Sequence, residues 1–283
     1  AALLEGLEVN DNPIPDTAGQ PGRQGGIMKP GAAEDVIAKD GGEGSGNFNH
    51  EGRPGKVGGS SGGGSSSKLS NKSMPAKKYV TPDGKMDIDT LRKDYYEFTQ
   101  EMDEGCRTYL KQSMESVEFK SMKLTEDSPF GYSPSRDAIY YDTSQKSIQD
   151  IDLSIVTTHE LAHRIDNQFV NVAENEDFRQ KVSNSKKQID ADRKKFQQFC
   201  KEDKEGFISD ICSAISEGKY SFRYEHPEEY WKKEGNKEKE IFANYYSLVA
   251  FRDIPKLDFL KKNLPEVYES CEKIKRQLQG EDD

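Results

Sequence analysis

The chain changes character near residue 75, and that change limits what can fold. Of its 24 glycines, 17 lie before residue 76, whereas every Trp, Tyr and Phe except Phe48 lies after it. Ordering a backbone costs roughly 1–2 kcal/mol per residue, which the burial of large apolar side chains has to offset. Residues 1–75 carry too few such side chains, so a disordered Gly/Ser/Pro-rich tail and linker is expected there. Residues 76–283 carry enough for one folded domain.

Charge and composition remove several classes of function. The net charge is -10, and acidic residues are in excess on both sides of the boundary. An acidic domain without a basic stripe has no footprint for phosphates, so nucleic acid is excluded as a partner. No apolar run approaches the ~20 residues of a membrane span. No basic segment leading into an apolar one opens the sequence, so no secretory signal peptide is visible. A start at Ala1 is expected of a processed product or of an excerpt from a longer protein. Cys106, Cys200, Cys212 and Cys271 are widely spaced, with no Cys-x-x-Cys pair, and read as free buried thiols.

Periodicity places the elements. Asp87 to Thr90 reads as a helix start, with Leu91, Tyr95, Phe98, Met102 and Tyr109 at helical spacing. Residues 117–124 alternate as a strand, 127–136 with two prolines and a glycine read as a loop, and Ala138 to Tyr141 reads as a second strand. Helices are expected over 151–170, 177–200 (charge-laced and exposed along one side), 206–217, 238–251 (the most apolar) and 258–278. The expected fold class is α+β, mainly helical, with a small sheet.

The segment that carries chemistry is Thr158-His159-Glu160-Leu161-Ala162-His163. Imidazoles four residues apart on a helix project from one face and can reach a single cation. Zinc–nitrogen distances are about 2.0–2.1 Å. Glu160 lies beside that face, where it can reach a metal-bound water without replacing a ligand. Metal-assisted hydrolysis needs this arrangement: zinc lowers the pKa of its water toward ~7, and a carboxylate takes the proton. Arg164 is expected to face solvent. Asp166 could orient an imidazole or form a surface ion pair with Arg164 or a lysine.

A catalytic zinc needs a third protein ligand. His226 stands alone in a polar loop before Pro227, so the better candidate is Glu240, in the run Lys239-Glu240-Ile241-Phe242-Ala243-Asn244. A carboxylate among such neighbours costs several kcal/mol to bury unless it is paired or metal-bound. The other reading of Glu240 is an acidic residue in a first helical turn, favoured by the helix dipole. Asn244, one turn on, could hydrogen-bond a ligand.

A His-Glu-x-x-His helix followed at a distance by Glu-Ile-Phe-Ala-Asn resembles the gluzincin branch of zinc metallopeptidases, in the compact form of anthrax-lethal-factor-like catalytic domains. The resemblance implies a zincin-like metallopeptidase domain over 76–283, with His159, His163 and Glu240 as ligands of Zn2+, Glu160 as general base and a protein or peptide as substrate. Asn244 stands where relatives often carry Glu. Relatives also present an edge strand to the substrate and a Tyr to the oxyanion. Ala138 to Tyr141 could be that edge or a core strand, and Tyr230 could be the catalytic Tyr or a packing aromatic. The string GGEGSGNFNHEGRPGKVGGSSGGGSSS at 41–67 reads as a flexible spacer. It also resembles a segment of tailed-phage head and portal-associated proteins. That likeness implies a phage or prophage setting, head or portal proteins as partners, and a virion-associated or host-cytoplasmic location. Two other classes stay open: a non-catalytic, zinc-stabilised virion module, and a toxin that acts by sequestration.

Overall fold

Helix starts follow the side chains able to cap them, in a computed structural model that describes residues 73–124, 129–220, 222, 226 and 228–281. The 1–75 tail, except for its last three residues, lies outside the described residues. Asp87 accepts the Thr90 N–H and opens α1 (Ile88–Phe98). Asp103 does the same for Cys106 and opens α2 (Glu104–Ser116). Strands β1 (Glu118–Ser121), β2 (Phe130–Ser133) and β3 (Ala138–Tyr141) follow. Asp152 then accepts the Ser154 N–H and opens α3 (Leu153–Ile165), which runs on into a single π turn at Asp166–Val170. The remaining helices are α4 (Glu176–Ala191), α5 (Arg193–Glu202), α6 (Phe207–Ser216), the short α7 (Glu228–Trp231), α8 (Asn236–Ala250), α9 (Ile254–Asn263) and α10 (Pro265–Leu278). Each such cap is worth about 1 kcal/mol. The fold class is the expected one, mainly helical α+β with a three-stranded sheet.

Three of the expected helices are pairs, each broken for a local reason. The run from Asp87 to Tyr109 breaks at a 3-10 turn, Thr99–Glu101, because the Asp103 side chain takes the Cys106 N–H and restarts the helix. The charge-laced 177–200 segment divides at Asp192 into α4 and α5. Pro265 occupies the first turn of α10 and separates it from α9, since the residue before a proline avoids the helical region. The one-sided exposure expected of α4 is present: Phe178, Val182, Ser185 and Ile189 form its single buried stripe.

The sheet order is β1-β3-β2, with β1 parallel and β2 antiparallel to β3. The 127–136 stretch, expected to be a loop, therefore contains a strand. Pro129 and Pro134 flank β2 and do not interrupt it, so neither removes a ladder donor. β3 is the central strand, which settles its two readings in favour of the core: with β1 on one side and β2 on the other, no peptide can pair with it. Ile139 and Tyr141 face the main core, while Ala138 and Tyr140 face a small cluster with Leu124, as the two-residue period requires.

Helix α8 packs between α3 and α6, and β2 lies against α3. All four cysteines are free and buried, as expected. Among the described residues no helix is long and apolar enough to cross a membrane. Arg164 departs from expectation because it is buried. Its Nε and Nη2 donate to the two oxygens of Asp137 at 2.7 and 2.8 Å, and its Nη1 donates to the Ser113 carbonyl and Ser116 Oγ. The guanidinium ties α3 to α2 and to the β2–β3 turn, where Asp137 adopts a left-handed φ of 45°. Arg164→Ala is expected to destabilise the domain by about 2–4 kcal/mol. That lies below the full loss for a buried pair because Asp137 is partly exposed, and urea denaturation measures it.

Candidate metal centre

The His-Glu-x-x-His segment forms the central turns of α3, whose other faces are fixed by packing. Leu161, Ala162 and Ile165 are fully buried, and the Thr158 hydroxyl meets the Tyr95 hydroxyl of α1 at 2.9 Å. His159 and His163, one turn apart, project toward α8 with their ring centroids 4.6 Å apart and their planes at 88°. Helix α8 starts at Asn236, two residues earlier than expected, and Asn236 Nδ2 donates to the Tyr230 carbonyl. Glu240 thus sits in the second turn, 0% exposed, beyond the first-turn placement that a dipole role alone would favour.

The three groups converge. His159 Nε2 and His163 Nε2 are 3.0 Å apart, His159 Nε2 lies 3.2 Å from Glu240 Oε2, and His163 Nε2 lies 3.4 Å from Glu240 Oε1. Donors bound tetrahedrally at 2.0–2.1 Å from one ion are separated by about 3.3 Å. Each separation is close to that edge, the two from Glu240 running from different oxygens, and one ligand atom from each residue lies within 4.8 Å of the others, so the set could hold a single metal ion. Glu240 Oε2 is buried with His159 Nε2 3.2 Å away and no well-formed hydrogen bond, so a cation there would satisfy it. Burial holds the His159 imidazole below its ordinary pKa. Burial also pushes the Glu240 carboxyl up, but the His163 and His226 charges outweigh it and hold the group well below the ordinary range. A neutral imidazole and an ionised carboxylate are the forms that bind metal.

Glu160 lies beside this triangle, 1% exposed. Its Oε2 accepts the Tyr132 N–H of β2 at 2.7 Å, while Oε1 is buried without a hydrogen-bond partner. Burial raises its pKa to about 7. Tyr230 of α7 is also brought to the site: its hydroxyl donates to Glu240 Oε1 at 2.6 Å, and its ring stacks on His226 at 4.2 Å.

Two residues at the centre went unread in the sequence. His226 was taken to stand alone, yet its Nε2 lies 3.7 Å from both Glu240 Oε1 and Asp210 Oδ2. Burial lowers the His226 pKa, but the Asp210 and Glu240 charges outweigh it and raise it. Asp210 belongs to α6, all of whose residues are buried. It was legible by the argument that singled out Glu240, a lone acid in an apolar helix (Phe207-Ile208-Ser209-Asp210-Ile211). Asn244 Nδ2 donates at 2.9 Å to both Asp210 Oδ2 and the Glu240 backbone carbonyl, so it orients the Asp210 carboxylate. Asp166 is 1% exposed and accepts the Val172 N–H, so it lies in the interior and not on the surface.

Fold and site together define a mainly helical α+β domain with a buried His-His-Glu set that could hold a metal ion. No family model, curated protein or solved structure matches the chain. Metal analysis of the desalted protein is expected to find a bound divalent ion, lost in His163→Ala and Glu240→Gln. Free ion at 100 times its dissociation constant should add about 2.7 kcal/mol to the stability of the metal-free protein, read as a rise in Tm.

Proposed function

We propose that the domain is a zinc-dependent endopeptidase. The observation that carries this reading is the donor triangle with a buried, half-satisfied Glu160 at its side. Bound zinc would polarise a substrate carbonyl and lower the pKa of a water toward ~7. Glu160 supplies the base. The Tyr132 N–H fixes Oε2 and leaves Oε1 to take a proton from the attacking water. A carboxylate that takes this proton can return it to the leaving amine. Tyr230 is positioned to donate to the developing oxyanion on exchanging its hydrogen bond from Glu240 to substrate. The resemblance of the 41–67 string supports a phage or prophage setting, with virion or host proteins as substrates.

A second reading draws on the near-complete burial of His159, Glu160 and Glu240: a zinc-held structural module without catalysis. Glu160→Gln separates the two. In an enzyme it should lower kcat/KM on a quenched-fluorescence peptide library by about 100- to 10,000-fold while metal content stays constant. Unchanged turnover, or no chelator-sensitive turnover in the wild type, removes the peptidase reading.

A further inference from the structure

We propose that Asp210 and His226 form, with Glu240, a second divalent-cation site, so that Glu240 bridges two ions. The inference rests on the reading of Glu240 as a metal ligand. It starts from the placement of the three groups. One ligand atom each from Asp210, His226 and Glu240 lie within 4.8 Å of one another, on three separate elements: helix α6, the segment before α7, and helix α8. None is a surface acid: the side chains are 13%, 11% and 0% exposed.

The carboxylate of Glu240 reaches both sets. Oε2 lies 3.2 Å from His159 Nε2, while Oε1, which accepts the Tyr230 hydroxyl, lies 3.4 Å from His163 Nε2 and 3.7 Å from His226 Nε2, so Oε1 is the oxygen within reach of both sets. A carboxylate used this way spans two ions about 3.5–4 Å apart. The His226–Asp210 and His226–Glu240 separations exceed the ~3.3 Å tetrahedral edge, so this set closes by a few tenths of an ångström around an ion. Asn244 holds Asp210 through Oδ2, and the aromatic faces of Tyr230 and Trp231 hold the His226 ring, so two of the three donors are already oriented. Among the described residues neither Asp210 nor Glu240 pairs with a lysine or arginine.

Charge orders the two events. The first ion meets two imidazoles and a full carboxylate, and the second has to share that carboxylate with an ion already bound. The second site is therefore the weaker one, filled at higher free Zn2+ or Mn2+. One imidazole and two carboxylates is a donor set that suits both ions.

The test is a Zn2+ titration of the full chain after chelator dialysis, read by metal content and isothermal calorimetry. Folding of each variant is checked by circular dichroism. The wild type should bind two equivalents in separate steps. His226→Ala and the near-isosteric Asp210→Asn should each lose only the weaker step, leaving the tighter constant within about threefold. His163→Ala should weaken the tighter step and spare the other. In a parallel arm with Mn2+, the electron paramagnetic resonance signal of a spin-coupled pair should appear in the wild type and vanish in Asp210→Asn. A single equivalent that His163→Ala abolishes and His226→Ala leaves intact overturns the second site while the first stands. No bound ion in the wild type overturns both.

Discussion

The centre depends on holding one carboxylate, Glu240, ionised with no exposure to water. That state is affordable only beside positive charge, because a lone buried carboxylate would take up a proton instead. The His163 and His226 imidazoles provide part of the compensation, and the approach of His159 and His163 to Glu240 suits a metal ion. The surrounding structure keeps this arrangement rigid. Helix α8 is wedged between α3 and α6, Asn244 ties the Glu240 backbone to Asp210, and Tyr230 holds Oε1.

The sheet contributes to the site through its edge. β2 uses one side to pair with β3 and uses its Tyr132 N–H to grip Glu160. A backbone donor cannot rotate away as a hydroxyl can, so this contact orients the carboxylate as well as satisfying one of its oxygens. The Arg164–Asp137 fork anchors the β2–β3 turn to α3 from the opposite end. Glu160 and the neighbouring imidazoles are thus held on α3 by contacts from both ends of the β2–β3 hairpin.

Much of this was legible before any coordinates. The i, i+4 pair His159 and His163 has one geometric outcome on a helix, and an acid at position 240 inside an apolar run demanded a partner. Breaks in the helices were harder to see, because Asp103 and Asp192 look like ordinary exposed acids until a side chain or the backbone is found to interrupt the ladder. β2 was missed because Pro129 and Pro134 signal a turn, and their effect depends on whether they fall inside a strand or at its ends. Arg164 was misplaced because its partner lies 27 positions earlier in the chain.

The sequence by itself determined the mainly helical class and the placing of His159 and His163 on one helix face, since composition and short-range periodicity suffice for each. The tertiary structure alone decided which side chains share a centre. Glu240 lies 77 positions beyond His163, and Asp210 and His226 lie between them on other elements. Their convergence follows from how α3, α6 and α8 pack, a long-range property that local spacing does not encode.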